Sequence, residues 1–211
     1  MKIRPDILIK KSILITFATV LVAVGVCLFL QSALGSDPIT VWIDGLRTAM
    51  GVSMGNASLL NNLVMLVLAV VFARKYIYIG TVIGALATGP LMNLFEPVVT
   101  HLFGSEPDLI LRFCMMFLGQ MILCAGVGLT LSVKFGFGTT DSLIVMLCTH
   151  YHLKYKNLKI LSDLAYTGAG MLLGGVFGIG SVLGVVSGGP LIAFFERHLW
   201  DPLIKGLKLN G

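Results

Sequence analysis

Residues Gly80–Glu96, GTVIGALATGPLMNLFE, return a hundred positions later as Gly180–Glu196, GSVLGVVSGGPLIAFFE. About half of the aligned positions are identical without a gap. Each copy lies in an apolar run and carries Gly-x-x-x-Gly followed by a central Gly-Pro pair, Gly89–Pro90 or Gly189–Pro190. Two apolar segments this similar in one chain indicate an internally duplicated membrane protein.

The composition agrees with a lipid environment. Hydrophobic residues make up 56% of the chain and charged residues only 12%, with a mean hydropathy of +0.94. Soluble domains carry about a quarter charged residues. A chain of 211 residues can hold about six spans of roughly 20 apolar residues. We therefore expect an all-α polytopic protein of the lipid bilayer, and the net charge of +5, which lies between apolar runs, does not indicate nucleic-acid binding.

The apolar runs predict six transmembrane helices and two short segments. The predicted spans are residues 12–34, 57–73, 77–102, 109–133, 160–176 and 179–195, with Lys154, Lys156 and Lys159 placed before the fifth. The short segments, 39–51 and 139–150, each follow a glycine break and are either broken re-entrant helices or interfacial helices. Residues 25–35 align with 126–136, and residues 60–63 with 161–164, so the repeat extends over both halves.

The repeat predicts a 3+3 inverted architecture. Each unit, residues 1–104 and 105–211, contains a long span, a glycine break, a short helix, a span and a Gly-Pro span. Because three crossings reverse the direction of the chain, two such units in one membrane domain must be inverted relative to each other. Many secondary transporters have this plan, with the binding site near the midplane beside broken helices.

The basic residues predict the orientation. With the N-terminus inside, only Arg47 and Arg112 fall on the outer side. The cytoplasmic residues are Lys2, Arg4, Lys10, Lys11, Arg74, Lys75, Lys134, Lys154, Lys156, Lys159, Arg197, Lys205 and Lys208. This bias predicts that both termini are cytoplasmic.

Four motifs together resemble those of the YczE/YitT-like family of small bacterial integral membrane proteins, in particular its YczE-type branch. They are GSDPITVWIDGL from Gly35, GTVIGALATGPL from Gly80, GFGTTDSL from Gly136 and GIGSVLGVVSGGPL from Gly178. The resemblance covers nearly the whole chain and implies a protein of the bacterial inner membrane. It implies no catalytic residues.

Polar residues at membrane depth are the first candidate substrate-binding groups. A central Asp costs about 3 kcal/mol to insert, so such a residue usually faces a cavity, a partner or water. Asp163 lies near the start of the fifth predicted span, and its repeat partner is Asn62 on the second. A pseudo-twofold axis would place both on one central cavity, where Asp163 binds a cation, a proton or an amine. The alternative is that Asp163 caps its helix near the interface.

The glycine breaks are the second candidate site. Their polar residues, with one further Asp in the first short segment, are Asp37, Asp44, Thr139, Thr140 and Asp141. If the short segments dip into the membrane, their positive N-terminal ends face a substrate carboxylate or phosphate. If they lie flat at the interface, as Trp42 favours, the same residues are ordinary helix caps.

The Gly-Pro spans are the third candidate. Their glycines predict close helix packing, and each proline frees a carbonyl one turn upstream. Thr81 and Ser181 offer hydroxyl groups nearby and are further candidate substrate-binding residues. Packing is the expected role of Gly89, Pro90, Gly189 and Pro190, and a gate formed by the two kinks is the alternative. The packing glycines are Gly80, Gly84, Gly180, Gly184 and Gly188.

No phosphate-binding, dinucleotide-binding or metalloprotease motif is present, so we expect neither an enzyme nor a cofactor. The spacing of Cys148, His150 and His152 does not match a zinc site, and no metal is expected. The leading hypothesis is a small secondary transporter for an unidentified small organic solute, with glycine-rich spans that suggest a homodimer. The alternative is a non-transporting module, either the substrate-binding subunit of an ATP-driven importer or an accessory subunit of a larger complex. A channel or lipid-handling role comes third.

Overall fold

The computed structural model describes residues 5–104 and 106–207, and all regular structure in these ranges is helical. The helices are α1 (Pro5–Gln31), α2 (Pro38–Met50), α3 (Met54–Phe72), α4 (Ile79–Phe103), α5 (Leu109–Val133), α6 (Thr139–Tyr151), α7 (Tyr155–Leu172), α8 (Ile179–Phe195) and α9 (Asp201–Gly206). A 3₁₀ turn, Arg74–Tyr76, precedes α4, and a π-helical turn, Glu196–Trp200, joins α8 to α9. Three of the basic residues predicted to be cytoplasmic, Lys2, Arg4 and Lys208, lie outside the described residues.

Five helical stretches in the described ranges are long and apolar enough to cross a membrane, as expected of a multi-pass membrane protein. They are α1 from Asp6, α3, α4, α5 and the continuous stretch Ile179–Gly206. The fifth predicted span is not among these five stretches. Its helix, α7, has 18 residues but includes the charged residues Lys156, Lys159 and Asp163. The expectation that these lysines precede the helix is wrong, since α7 begins at Tyr155.

The centre of the protein is an antiparallel pair formed by α1 and α5. The two helices approach so closely that a methyl group added at Gly25 would lie 2.5 Å from the Leu123 backbone nitrogen. At Gly126, a methyl group would lie 2.9 Å from the Val22 backbone nitrogen. Gly25 aligns with Gly126 in the sequence repeat, and Val22 with Leu123 at the same spacing. Each half therefore contributes the same glycine to the crossing and receives the same contact from the other half.

The glycine break after each central helix is bonded to the start of the Gly-Pro helix of the other half. After α1, the Leu34 carbonyl accepts a hydrogen bond from the Gly180 N–H at 2.8 Å. After α5, the Phe135 carbonyl accepts one from the Gly80 N–H at 3.0 Å. Gly35 in the first break has φ +92°, a backbone conformation that favours glycine. These bonds anchor the two breaks that precede α2 and α6.

The two Gly-Pro pairs have different surroundings. A methyl group at Gly89 would lie 2.5 Å from the Gly55 carbonyl oxygen, so α3 and α4 pack tightly there. No described atom lies within 4 Å of the corresponding position at Gly189. Gly84 likewise has no contact at this position with the described residues of the chain, so close packing at Gly84 and Gly189 stays a prediction. The Gly-Pro pair of α4 is thus packed against α3, whereas the Gly-Pro pair of α8 has no such packed neighbour among the described residues.

Candidate functional site

Four charged residues from both halves, at the starts of α2 and α6 and within α7, act on one another electrostatically. The Lys159 ammonium is 2.9 Å from Asp163 Oδ1, one helical turn away on α7. The charges of Asp141 and Asp37 also act on Lys159, so both are within its electrostatic range. Of the residues singled out in the sequence, the structure thus brings three together, Asp37, Asp141 and Asp163. We call these four residues the charged cluster.

Asp37 is positioned by its role as the N-cap of α2. Its carboxylate accepts hydrogen bonds from the Thr40 N–H at 3.4 Å and from the Thr40 hydroxyl at 2.5 Å. Burial raises the pKa of the Asp37 carboxyl above its ordinary value, and the bonds from Thr40 oppose that rise. Pro38 at the first helical position suits this start, because its fixed φ matches the helix and its missing N–H needs no partner there.

Asp141 comes from the first turn of α6 and reaches the cluster from the second half. Its Oδ1 accepts a hydrogen bond from the Tyr155 hydroxyl at 3.1 Å, which ties the start of α6 to the start of α7. Thr139 and Thr140 precede it, the first buried and the second half-buried. Among the described residues no side chain caps α6, whose N-cap residue is Gly138.

Asp163 does not cap a helix. It lies well inside α7, whose N-cap residue is Lys154, so the capping alternative is wrong. Its partner is instead Lys159, four residues earlier, for which the sequence pattern predicts a place on the cytoplasmic side before the span. The i, i+4 spacing of a lysine and an aspartate on a helix is the sequence signal that identifies this pair.

Asn62 lies outside the cluster and is half-buried on α3. Its neighbour Asn61 is the buried residue, and Asn61 Oδ1 accepts a hydrogen bond from Trp42 Nε1 at 3.0 Å. Asn61 was missed in the sequence because the repeat aligns Asn62, not Asn61, with an aspartate. The Asn61–Trp42 bond joins α3 to α2 within the first half.

Asp44 is also separate from the charged cluster. Its Oδ2 accepts a hydrogen bond from the Val176 N–H at 3.0 Å, and its Oδ1 lies 3.6 Å from the Arg47 guanidinium. Arg47 in turn lies 3.9 Å from Glu96 on α4. Asp44 thus fixes the loop before α8 to α2 and belongs to a different group of charges.

Thr81 and Ser181 bond to the glycine breaks and not to the carbonyls freed by the prolines. Thr81 Oγ1 donates to the Phe137 carbonyl at 2.7 Å. Ser181 Oγ accepts from the Ser36 N–H at 3.1 Å. The two hydroxyls therefore hold the breaks that precede Asp37 and Asp141, two of the four residues of the charged cluster.

The comparisons with known proteins identify a family without giving an activity. Residues 9–197 match a family model described as a family of unknown function, DUF6198. An uncharacterised protein of Haemophilus influenzae is 28% identical over 182 residues, covering 86% of this chain and 81% of that protein. The uncharacterised protein YyaS of Bacillus subtilis is 25% identical over 193 residues, covering 88% of this chain and 94% of that protein. No solved structure matches this chain. The YczE/YitT-like resemblance stays a prediction, and the chain belongs to the DUF6198 family of unknown function.

Proposed function

We propose that this protein is a small secondary transporter of the bacterial cytoplasmic membrane. Two inverted repeats of three crossings rock against each other and carry a small organic solute past the charged cluster. The observation that carries this proposal is the reciprocal bonding of the two glycine breaks, each held by the Gly-Pro helix of the other half. No comparison assigns an activity to the family, so the proposal depends on geometry and chemistry alone.

The reciprocal contacts support an inverted relation between the halves. Gly80 and Gly180 are equivalent in the repeat, and each N–H bonds to the carbonyl of the residue before the break glycine of the other half. The antiparallel crossing of α1 and α5 has the same reciprocity at Gly25 and Gly126. Equivalent contacts between antiparallel elements are what a pseudo-twofold axis in the membrane plane produces.

The proposal requires α7 to cross the membrane in addition to the five candidate spans, which makes six crossings in all. Its 18 residues extend about 27 Å at 1.5 Å per residue, close to the thickness of a hydrocarbon core. Two of its charges, Lys159 and Asp163, are paired. One of its glycines also packs closely on α2, since a methyl group at Gly170 would lie 2.5 Å from the Val41 carbonyl oxygen. A charged helix at membrane depth is expected to face its protein neighbours in this way.

The composition of the charged cluster favours a positively charged solute or coupling ion. Three aspartates act on the Lys159 ammonium group, one of them at 2.9 Å, so acidic groups outnumber basic ones in the cluster. A cation, a proton or an amine that enters between Asp163 and Lys159 would take the place of Lys159 as the partner of Asp163. The Asp163 carboxylate would then never be left without a positive partner. Each half supplies part of the cluster, so relative movement of the halves changes its geometry.

The central experiment combines native mass spectrometry with transport. We expect the protein, extracted from its own membrane in mild detergent, to carry a small molecule that Asp163→Asn loses and Asp108→Asn keeps. Asp108 is a suitable control because it caps α5 away from the cluster, and Asn caps as well as Asp. In liposomes, the identified molecule should show flux with the wild type and Asp108→Asn but not with Asp163→Asn. A stable complex with an ATPase and no flux would refute the proposal and favour the accessory subunit.

A second experiment tests the sixth crossing. In a variant whose own cysteines are replaced, single cysteines at Lys154 and Val176 flank α7. We expect the first to react with an impermeant maleimide only after the membrane is opened, and the second to react from outside in intact cells. Reaction of both from the same side would exclude α7 as a crossing and with it the 3+3 plan.

A further inference from the structure

A second group of charges lines a cavity of about 340 Å³ near the C-terminal ends of α1 and α2. The polar side chains of its wall include Gln31, Asp44, Arg47, Thr48 and Glu96. The wall is built from α1, the first glycine break, α2, the start of α3, α4 and the loop before α8, and the charged cluster is not part of it. The volume is enough for a small organic molecule.

The charged side chains of this wall are held in place, but their carboxylates can still accept hydrogen bonds from a ligand. One oxygen of Asp44 is fixed by the Val176 N–H at 3.0 Å, and its side chain is only 9% exposed. Arg47 lies 3.6 Å from the other Asp44 oxygen and 3.9 Å from Glu96 Oε1. Both distances are longer than a hydrogen bond, so Arg47 attracts each carboxylate without saturating either of them. Two carboxylates against one guanidinium leave the wall with one negative charge in excess.

The wall also discriminates between classes of cation. Of the described residues that line the cavity, none is aromatic. Quaternary ammonium groups are recognised mainly by aromatic cages, so this cavity lacks what they need. Carboxylate oxygens that accept hydrogen bonds suit a cation that carries N–H donors, because such charge-assisted bonds are the strong ones.

We propose that this cavity binds a small organic cation with N–H donors, a primary ammonium or a guanidinium, between Asp44 and Glu96. Arg47 competes with the ligand for the two carboxylates and moves aside when it binds, which its 43% exposed side chain permits. The site is independent of the proposed transport activity, since it is defined by equilibrium binding alone.

The test is isothermal titration of the purified protein in lipid nanodiscs at low salt with n-butylammonium. We expect saturable binding of one ligand per chain. Glu96→Gln should weaken it about tenfold, the usual effect of losing one hydrogen bond to a charged group. Arg47→Gln should strengthen it several-fold, because it removes the competing cation. Opposite effects from two neighbouring variants are the signature of a binding site, since structural damage would weaken binding in both.

Two controls complete the experiment. Glu196→Gln removes the same charge at the repeat-equivalent position, which does not line the cavity, and should leave binding unchanged. Tetramethylammonium, which has no N–H donor, should bind at least tenfold more weakly than n-butylammonium. The proposal is overturned if n-butylammonium does not saturate the protein, if Arg47→Gln weakens binding, or if Glu196→Gln weakens it as much as Glu96→Gln. Binding that follows these expectations in a protein without flux would refute the transporter and keep this site.

Discussion

The crossing of α1 and α5 gives the most direct test of the fold. In Gly25→Ala the added methyl carbon would lie 2.5 Å from the Leu123 nitrogen and 2.9 Å from the Gly119 oxygen. The first distance is about 0.9 Å short of ordinary van der Waals contact, which begins at 3.4 Å. Both contacts are to backbone atoms, so no side chain can rotate away and the helices must move apart. Overpacking of this kind costs roughly 1–3 kcal/mol.

Gly84→Ala is the matched control, since Gly84 is also inside a long helix but has no described atom within 4 Å of the new methyl group. Both variants gain the same helix propensity, about 1 kcal/mol, which therefore cancels in the comparison. We expect the free energy of unfolding, measured by reversible unfolding in mixed micelles, to be about 1–3 kcal/mol lower for Gly25→Ala than for Gly84→Ala. Gly126→Ala should be destabilised in the same direction. A difference below about 0.5 kcal/mol between Gly25→Ala and Gly84→Ala would show that α1 and α5 do not meet at Gly25.

Two further substitutions test individual hydrogen bonds by the same unfolding measurement. Thr81→Val removes the donor to the Phe137 carbonyl and should cost about 1 kcal/mol more than Thr130→Val, whose hydroxyl bonds only within its own helix; equal losses would argue against the contact. Trp42→Phe keeps the aromatic ring but leaves Asn61 Oδ1 without its donor, at a cost of about 0.5–2 kcal/mol. Additive effects of Trp42→Phe and Asn61→Leu in the double variant would mean that the two side chains are not bonded.

The sequence was most informative where an apolar run has clear ends. The bounds of α5, Leu109–Val133, and of α8, Ile179–Phe195, agree with the predicted spans residue by residue. For α5 the reason is local, because Asp108 caps its start and Lys134 ends it with a positive φ. Such signals depend on neighbours in the chain, which the sequence displays directly.

The start of α7 shows where this reasoning fails. Lysines before an apolar run usually mark a loop, and this pattern predicts that Lys159 precedes the helix. The structure makes it part of the helix because Asp163 lies one turn further and the other carboxylates approach from α2 and α6. The approach of Asp37 depends on the bond between Leu34 and Gly180, which links distant parts of the chain. No local sequence pattern predicts such a contact, although the repeat identified the two segments that make it, the first glycine break and the second Gly-Pro span.

The bonds that hold the glycine breaks also determine which break can be bonded first while the chain is being synthesised. The second break finds its partners, Gly80 and Thr81, already made. The first break must wait, since the Ser36 N–H bonds to a hydroxyl 145 residues later in the chain. At 5–20 residues per second this delay is roughly 7 to 30 s. During that time the first break, made early, lacks these partners for its backbone groups, and a lipid environment would not supply others. The first half of the chain is therefore completed only when the last long helix arrives.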